Sequence, residues 1–460
     1  MMKNIFLFLI AVLVSCNPQV EQNSVKQSKN EYSNFEPTLF PDRIMLSISG
    51  DPATSRAVSW RTLFTVTESV AEITPVVASP GLEKDAITKK GTSTPWEEGS
   101  QVSMGHKVVF ENLKPATKYA YRVGDGERWS EWFQFKTSSA EDGPFTFLYF
   151  GDVQNDIKSL GSRTIRQAYT HFPEADFMLF AGDLVSRSTE EYWREFFYAG
   201  GWIFGMMPSV VTPGNHEYDK PENQPRTFSK HWNQIYSAPA NSPSEEYYNR
   251  NYYLDYQGVR FISFDSPALG ENEEDSVLVI TWLDKTLAEN PNRWTVLFTH
   301  YPVYSCSQGR NNEKYRNTIK PLLEKYSVDL VLAGHDHTYC RGFNPEGVEV
   351  RGKNMPLYVV SVAGPKMYGL NTSFWSERMA SMTQLYQHVS VSREKLEFKA
   401  FTVAGELYDH FIISKNENGM NTFIEGPEIA AISQRTEIPE SFIENYSKEE
   451  LELYKQKFKK

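Results

Sequence analysis

The chain has 460 residues, and 47 Lys and Arg against 58 Asp and Glu leave a formal net charge of -11. This length predicts two or three domains with a sizeable core, and 40% hydrophobic with 23% charged residues is a globular balance that fits neither a disordered chain nor a polytopic membrane protein. An acidic surface does not attract a phosphate backbone over long range, which argues against sequence-general binding of nucleic acid.

The chain begins with the features of a secretory signal. Lys3 precedes an apolar stretch at 5–14, which is far shorter than the ~20 residues of a membrane-spanning helix. The stretch ends in Leu13-Val14-Ser15-Cys16, which resembles the lipobox of bacterial lipoproteins. This resemblance implies a signal peptide at 1–15, cleavage before Cys16 and attachment of lipid to its sulfur. The alternative is an ordinary signal peptide with an incidental cysteine.

A tether is expected between the lipid and the folded body. The segment after Cys16 is rich in Asn, Gln, Ser and Glu and has few large apolar side chains, which favours a flexible chain over 16–37. We therefore expect the body to lie outside the cytoplasm, in the periplasm or at the cell surface, held to a membrane through Cys16.

The next segment has the pattern of an all-β sandwich. Short alternating or aromatic-rich runs are separated by turn residues, and they predict strands at 43–49, 56–62, 106–113, 118–123 and 131–137. The segment 113–123 combines a proline turn, Tyr119 and strand alternation, and with Trp60 on an earlier strand it resembles a fibronectin type III domain. The resemblance implies a sandwich over 38–139.

From Phe145 onward, apolar runs are followed by longer mixed stretches. This spacing predicts an α/β domain over 144–414, with buried strands at 145–150, 176–181, 209–212, 260–264, 295–298, 328–333 and 357–362. The more polar segment 415–460 is expected to be a closing appendage that ends in a helix, capped by Ser447 with Glu450 three residues later.

Five short motifs each follow one of these apolar runs. They are Gly151-Asp152-Val153-Gln154, Gly182-Asp183-Leu184, Gly214-Asn215-His216-Glu217, Thr299-His300-Tyr301-Pro302 and Gly334-His335-Asp336-His337. Because open α/β sheets place ligands at the carboxyl ends of their strands, we expect all five motifs to converge on one crevice. A glycine before a ligand lets the backbone turn sharply and removes side-chain bulk.

The side chains of these motifs suit metal ions. They supply carboxylates, an amide oxygen and imidazoles but no thiolate, a mixture that favours Mn, Fe or Zn, with enough ligands for two ions. Two adjacent metals can activate a water at neutral pH and clamp the oxygens of a phosphoryl group. The motifs therefore predict in-line hydrolysis of a phosphate ester.

The five motifs in this order, behind a sandwich, resemble the metallophosphoesterase superfamily and within it the purple acid phosphatase branch. The resemblance spans residues 43–413. It implies that one metal is held by Asp152, Asp183 and His337, and the other by Asp183, Asn215, His300 and His335. Asp183 is then the bridge. The resemblance also implies that His216 faces the phosphate as a transition-state donor or leaving-group acid.

The sequence departs from the family patterns beside the first metal. In purple acid phosphatases a Tyr three residues after the bridging Asp binds ferric iron, but this chain has Ser186 there. Many other metallophosphoesterases have a His two residues after the first Asp, and this chain has Gln154. Gln154 is either a ligand through its amide oxygen or a hydrogen-bonding residue behind the ligands. The missing Tyr predicts two divalent ions and no purple colour.

Other side chains near the motifs have two interpretations each. Arg310 either grips phosphate through its planar guanidinium or is solvated. Tyr301, Tyr304 and Tyr339 either form walls around the leaving group or pack in the core. The five His outside the motifs are assigned structural roles: His106, His171, His231, His388 and His410.

Apart from Cys16, the body contains Cys306 and Cys340. Cys306 lies six residues after His300, and Cys340 lies three residues after His337, so both follow implied ligands of the same centre. Outside the cytoplasm such a pair forms a disulfide or remains as two buried thiols.

These features predict a lipid-anchored, extracytoplasmic hydrolase that cleaves phosphate monoesters with a dinuclear metal centre and metal-activated water. Its expected partners are a small-molecule phosphate ester and a membrane. A phosphodiesterase or nucleotide hydrolase of the same fold is the nearest alternative. The alternative from a different class is a surface-binding protein with an inactive phosphoesterase domain. Such a protein would be expected to lack metal ligands, whereas this chain has the implied set.

Overall fold

The structure is a computed structural model that describes residues 36–98, 101–219, 226–269, 272–344, 355–372 and 375–458. The predicted signal peptide, Cys16 and nearly all of the tether at 16–37 lie outside the described residues.

The first domain is a β-sandwich, which confirms the fold expected from the alternating segments. Its strands are β1 (Asp42–Ser47), β2 (Arg56–Leu63), β3 (Val70–Pro75), β4 (Ile87–Lys90), β5 (Thr92–Glu98), β6 (Gln101–Phe110), β7 (Lys118–Gly124) and β8 (Phe133–Lys136). They pair in the orders β4-β3-β7-β8 and β1-β2-β6-β5. Trp60 and Tyr121 lie in the apolar core between the two sheets. The Tyr119 hydroxyl accepts a 2.8 Å hydrogen bond from the backbone N–H of Lys114, which fixes the proline turn.

The second domain is the expected α/β domain. Its strands are β9 (Phe145–Phe150), β10 (Phe177–Ala181), β11 (Ser209–Thr212), β12 (Tyr218–Asp219), β13 (Thr227–Phe228), β14 (Tyr252–Tyr256), β15 (Val259–Phe264), β16 (Trp294–Thr299), β17 (Leu330–Ala333), β18 (Tyr339–Gly342), β19 (Leu357–Val360), β20 (Ser376–Ala380), β21 (Leu385–Val391), β22 (Lys395–Thr402), β23 (Leu407–Lys415) and β24 (Asn421–Glu425).

The helices are α1 (Ser162–His171), α2 (Glu190–Gly200), α3 (Ile203–Met206), α4 (Trp232–Ile235), α5 (Glu273–Ala288), α6 (Glu313–Lys325), α7 (Glu440–Ile443) and α8 (Lys448–Phe458). Among the described residues, none of these helices has both the length and the apolar character required to cross a bilayer.

The α/β domain consists of two sheets that face each other between helices. One has the order β24-β23-β22-β21-β9-β10-β11 and continues into the sandwich, and the other has the order β14-β15-β16-β17-β19-β18-β20. Phe147, Phe177 and Phe261 lie in the core between these sheets. A second core, which includes Ile165 and Trp193, covers the outer face of the first sheet with α1 and α2. Both faces of the central strands are therefore buried, as their continuous apolar runs predicted.

The two domains share one sheet. Ser47 of β1 pairs in parallel with Ser209 of β11, so eleven strands form a continuous sheet. Ion pairs strengthen this junction, since the carboxylate of Glu190 in α2 pairs with Arg43 and Arg61 of the sandwich. Arg61 NH1 lies 2.7 Å from Glu190 Oε1. The sandwich is thus built into the scaffold of the α/β domain.

The C-terminal segment belongs to the same scaffold. The boundary expected at 414/415 falls within β23, and β24 then extends the large sheet. The expected final helix is present as α8. Ser447 Oγ accepts a 3.1 Å bond from the Glu450 N–H, and the Glu450 carboxylate accepts a 2.7 Å bond from the Ser447 N–H. Helix α8 packs through Tyr454 on the core outside the second sheet.

Of the two alternatives for the cysteines, the structure contains the disulfide. Cys306 and Cys340 are bonded, with Cα atoms 6.6 Å apart, and both residues are buried. The bond ties the loop after β16 to β18, which follows the Gly334-His335-Asp336-His337 motif.

The disulfide should be detectable by thiol titration and by stability. The mature protein, denatured without reductant, is expected to titrate no thiol from Cys306 or Cys340. Replacing both with Ala should lower the free energy of unfolding by about 4 kcal/mol, because the bond closes a loop with a sequence separation of 34. Denaturant unfolding of both proteins, with and without reductant, measures this difference. Two titrating thiols from this pair, or equal stability without reductant, would exclude the bond.

Candidate metal centre

Two groups of ligand atoms share one carboxylate. The first group comprises Asp152, Asp183 and His337, and the second comprises Asp183, His300 and His335. Within each group, the candidate ligand atoms all lie within 4.8 Å of one another. Asp183 belongs to both groups, which is the arrangement of a residue that bridges two ions.

Parallel strands bring these ligands together. Their chain positions follow β9, β10, β11, β16 and β17, in the order Asp152, Asp183, Asn215, His300 and His335. Strands β9–β11 are parallel neighbours in one sheet, and β16 and β17 are parallel neighbours in the facing sheet. The structure therefore places the ends of both sheets around the same crevice.

Asn215 contributes to the second group through its side-chain oxygen. Its Oδ1 lies 3.2 Å from His300 Nε2, and that nitrogen is also 3.2 Å from His335 Nδ1. His300 Nε2 lies 3.1 Å from Asp183 Oδ2 as well. Four side chains thus point their ligand atoms at one position.

Carbonyl groups orient two of the imidazoles. His300 Nδ1 lies 2.9 Å from the Ala181 carbonyl oxygen, and His337 Nδ1 lies 2.9 Å from the Lys366 carbonyl oxygen. A carbonyl oxygen only accepts, so each Nδ1 carries a proton and donates it. Nε2 is then the atom that faces the ligand group, and such outer hydrogen bonds are usual for metal-binding histidines.

The electrostatics of the group favour a bound cation. Burial opposes charge on His300, but the carboxylates of Asp183 and Asp152 raise its pKa to about 9. Burial, together with the Asp183 carboxylate, raises the pKa of Asp152 to about 7. Burial and the nearby Lys366 lower the pKa of His337 to about 3, so this imidazole is neutral. The carboxylates thus favour positive charge at His300, and burial leaves His337 as a neutral donor, so this group of side chains is suited to bind a metal cation.

Unpaired acceptors provide a second test of this fit. Asp152 Oδ2 and Gln154 Oε1 are buried and accept no hydrogen bond from the described residues. Asp152 Oδ2 lies 3.2 Å from His337 Nε2, at the first group of ligands. An unpaired buried acceptor is costly, and a cation at the first group would satisfy Asp152 Oδ2. The ligand atoms therefore fit the dinuclear centre expected from the sequence.

Gln154 lies inside the first group. Its Nε2 is 2.8 Å from Asp183 Oδ2 and 3.1 Å from His337 Nε2. Turning the amide about its last torsion exchanges nitrogen and oxygen, and the two are assigned from their neighbours rather than seen directly. The turned amide would present its oxygen to the same position. Gln154 thus contacts both ligands, which suits coordination as well as hydrogen bonding.

His216 lies at the rim of the centre. Its side chain is 30% exposed, and its Nε2 lies 3.9 Å from Asp183 Oδ2. Its Nδ1 is 2.5 Å from the Ser186 carbonyl oxygen, so Nδ1 donates and Nε2 is free to face a substrate. The His216 backbone N–H donates to Asp183 Oδ1 at 2.8 Å. This position suits proton transfer to a bound ester.

Glu217 holds two ligand loops together, a role that the sequence analysis did not assign. Its carboxylate is fully buried and accepts hydrogen bonds from the backbone N–H groups of Asp183 (2.9 Å), Leu184 (2.9 Å) and Gly214 (2.6 Å). A Glu next to Asn-His in the motif was visible in the sequence, but its partners are backbone groups that no residue pattern identifies. Glu217 therefore positions the bridging Asp183.

The ligand loops adopt tight turns. Asp183, His335 and His337 have φ values of 49°, 71° and 49°. These values lie in the left-handed region of backbone conformation, which is unfavourable for residues other than glycine. The preceding Gly182 has φ +83°. A Cβ at Gly334 would lie 2.3 Å from Asp152 Oδ1. The glycines thus permit both the turn and the close approach that the sequence predicted.

The other candidate side chains differ in their distance from the centre. Arg310 is held rather than solvated, since its NH1 donates to the His335 carbonyl at 2.6 Å and to Asp336 Oδ1 at 3.2 Å. The Tyr301 ring lies against His335, with centroids 4.4 Å apart, and lines a cavity of about 570 Å³.

Tyr304 and Tyr339 pack in the core instead. Tyr304 is stacked among apolar side chains, with its ring centroid 5.7 Å from that of Trp375. The hydroxyl of the fully buried Tyr339 donates to Asp409 Oδ2 at 2.7 Å. Only Tyr301 of the three therefore remains a candidate wall for the leaving group.

Ser186 does not replace the missing tyrosine. Its Oγ accepts a 2.9 Å hydrogen bond from the backbone N–H of Asn155, and it is not part of either ligand group. The position that supplies a phenolate in purple acid phosphatases thus serves a loop contact here.

Comparison with known proteins identifies two family matches. Residues 145–339 match the calcineurin-like phosphoesterase family, and residues 41–137 match the purple acid phosphatase N-terminal domain. The first match contains the candidate ligands, and the second contains the sandwich. These matches confirm the family resemblance and the fold class predicted from the sequence.

Individual relatives agree with these matches. Purple acid phosphatase 21 of Arabidopsis thaliana is 30% identical over 276 residues, which span 58% of this chain and 60% of that protein. Probable purple acid phosphatase 20 of the same plant is 28% identical, over 74% of this chain and 78% of the relative. Its Fe(3+)-Zn(2+) purple acid phosphatase 12 is 24% identical, over 68% and 69%.

A solved structure has the same fold. The purple acid phosphatase from seeds of yellow lupin (Lupinus luteus) superposes with a TM-score of 0.68 at 16% identity, over 83% of this chain and 75% of that chain. At this identity the comparison establishes the architecture only.

The role of Gln154 can be tested by metal affinity. Gln154→Ala is expected to weaken the binding of one of the two metals by about 10–100-fold, the range for loss of a group that orients ligands, or by more if the amide coordinates directly. Titration of metal-stripped protein, followed by elemental analysis, measures both ions.

Gln387→Ala is the matched control, because Gln387 is also fully buried but its Nε2 donates to Ser361 Oγ rather than to a candidate ligand. This variant should bind both metals as the wild type does. Unchanged affinity for both metals in Gln154→Ala would remove Gln154 from the centre.

Proposed function

We propose that the chain is a purple acid phosphatase-like metallophosphoesterase, which hydrolyses phosphate monoesters at the two ligand groups around Asp183. The observation that carries this proposal is the shared carboxylate, since Asp183 belongs to both groups. The same arrangement argues against an inactive surface-binding protein, which has no need for a complete ligand set.

The residues of the site have different roles in the proposed hydrolysis. When bound, two metal ions polarise the phosphoryl oxygens and provide an activated water. Asp152, Gln154 and His337 surround one position, and Asn215, His300 and His335 surround the other. The Nδ1–H of His216 donates to the Ser186 carbonyl, so Nε2 is the ring atom that faces the substrate and would carry the proton given to the departing alkoxide.

We propose that both metals are divalent. The relative whose name specifies its metals is an Fe(3+)-Zn(2+) enzyme, but position 186 of this chain carries a serine that hydrogen-bonds to Asn155. A serine hydroxyl does not ionise readily, so it cannot supply the anionic oxygen that a phenolate gives to ferric iron. Mn, Fe(II) and Zn are the ions that suit the remaining carboxylate, amide and imidazole donors.

We also propose that the enzyme is a lipoprotein anchored outside the cytoplasm through Cys16. The support is in the sequence: a basic start, an apolar stretch at 5–14 and a small residue, Ser15, before Cys16. A polar segment at 17–37 would then separate the lipid from the first strand, and an enzyme on such a tether could meet soluble esters at the membrane surface.

The function can be tested on metal-stripped protein reloaded with single metals. Hydrolysis of p-nitrophenyl phosphate is expected only after reloading, at a higher kcat/KM than for bis(p-nitrophenyl) phosphate. The reloaded protein is expected to have no intense visible absorption band.

His216→Ala should retain both metals and lose about 10²–10⁴-fold in kcat on an alkyl phosphate, because this poor leaving group requires a proton. The loss should be smaller for the nitrophenyl ester.

His388→Ala is the control, because His388 is partly exposed like His216 but stacks on Phe172, outside both ligand groups. Failure of every metal to restore hydrolysis would overturn the proposed activity. An equal effect of His216→Ala on both esters would exclude the leaving-group role, and a strong visible band would overturn the divalent assignment.

The anchor can be tested by metabolic labelling with a fatty acid in a bacterial host. The wild-type protein is expected to carry the label and sediment with membranes, whereas Cys16→Ala should lose both properties because its side chain has no sulfur to acylate. Cys306→Ala, which changes another cysteine, should keep the label. Labelling that survives in Cys16→Ala, or a mature N-terminus at another residue, would rule out the anchor.

A further inference from the structure

We propose that a cationic cavity beside the metal centre binds a second phosphate group, so that the enzyme prefers esters that carry two phosphates. The cavity is lined by Arg310 and Tyr368, and the Tyr368 ring also contacts Lys366; we call the cavity together with these two cations the second phosphate subsite. The inference rests on the proposed phosphatase function and names a substrate class for it.

Arg310 ties the subsite to one ligand group. Its NH1 donates to the carbonyl oxygen of the ligand His335 and to the buried Asp336. Asp336 balances part of the charge, and its other oxygen accepts bonds from Ser305 Oγ and the Cys306 N–H. Within the described residues, Nε and NH2 of Arg310 have no hydrogen-bond partner, which leaves two planar donors for an anion.

Lys366 ties the subsite to the other ligand group. Its carbonyl accepts the Nδ1 proton of the ligand His337, and the backbone N–H of Tyr368 donates to the His337 carbonyl. Nζ of Lys366 forms no hydrogen bond or ion pair with any other described residue. In a chain of net charge -11, this cation has no counter-ion among the residues that the structure describes and can pair with substrate.

Tyr368 links the two cations to the centre. Its ring centroid lies 5.0 Å from the Arg310 guanidinium carbon, 5.4 Å from Lys366 Nζ and 4.8 Å from the His337 ring. An aromatic ring so placed holds both cations close despite their repulsion. Tyr368 therefore contacts both cations and the candidate ligand His337.

The cavity of the subsite lies between Arg310, Tyr368 and the C-terminal segment. It has a volume of about 220 Å³, and its walls include Ser307, Arg310, Tyr368 and Tyr446. The Tyr446 hydroxyl donates to the Leu370 carbonyl at 2.7 Å, which holds the segment before α8 against the loop of Tyr368. The segment 415–460 thus provides one wall of the subsite. The volume accommodates a phosphate group together with water.

The subsite can be tested with two ligands that differ by one phosphonate. Calorimetry on the metal-loaded protein is expected to show that methylenediphosphonate binds more tightly than methylphosphonate. Lys366→Met should reduce this advantage by about 10–100-fold, the value of a charge-assisted contact, and Lys366→Arg should retain it. Lys90→Met, which removes an exposed lysine of β4 in the sandwich, should leave it unchanged. Metal content is measured after each titration, because diphosphonates also chelate metals.

The outcomes separate this inference from the proposed function. An equal advantage in wild type and Lys366→Met would overturn the subsite, since the diphosphonate would then bind through the metals alone. Equally tight binding of phosphonoacetate would assign the site to carboxylates instead of phosphate and overturn the substrate class. If p-nitrophenyl phosphate is not hydrolysed while the Lys366-dependent advantage persists, the phosphatase proposal fails and the subsite stands.

Discussion

The metal centre depends on a buried carboxylate that is not itself a member of either ligand group. Glu217 accepts the backbone N–H groups of Asp183, Leu184 and Gly214, and so joins the loop after β10 to the loop after β11. With the longer bond from the Val185 N–H at 3.4 Å, four backbone donors point at one fully buried side chain, which leaves the loops little freedom. Since Asp183 belongs to both ligand groups, this contact helps to position the residue that the two groups share.

The rest of the centre holds together groups that would otherwise repel or be strained. Three candidate ligands have left-handed backbone conformations, which cost of order 1–3 kcal/mol each, and the buried carboxylates of Asp152 and Asp183 lie close together. Parallel strands, glycines and the disulfide between Cys306 and Cys340 keep these groups in place. The free-energy cost of bringing the ligands together is therefore offset by folding, and a cation binds to ligands that are already in position.

Residue type and position were sufficient to predict which side chains gather at the candidate centre, because each follows an apolar strand and often a glycine, and strand ends converge. Glu217 was not predicted to matter, since its partners are backbone groups, two of which, Asp183 and Leu184, lie more than 30 residues away in the chain. The short polar strands β4 and β24 were also missed, because they form only through pairing with β3 and β23. Lys366 belongs to no motif, and the hydrogen bond of its carbonyl with His337 and the packing of Tyr368 against His337 place it beside the centre.

The pairing of Ser47 with Ser209 has a consequence for how this protein can be divided. The sandwich caps the side of the catalytic sheet at β11, where Val210 and Val211 are buried. Cutting the chain between the domains would uncover backbone N–H and C=O groups and apolar side chains that recruit strands from other molecules. The sandwich therefore protects the edge strand β11 from pairing with other molecules. The α/β domain is accordingly not an independent module for truncation or domain exchange.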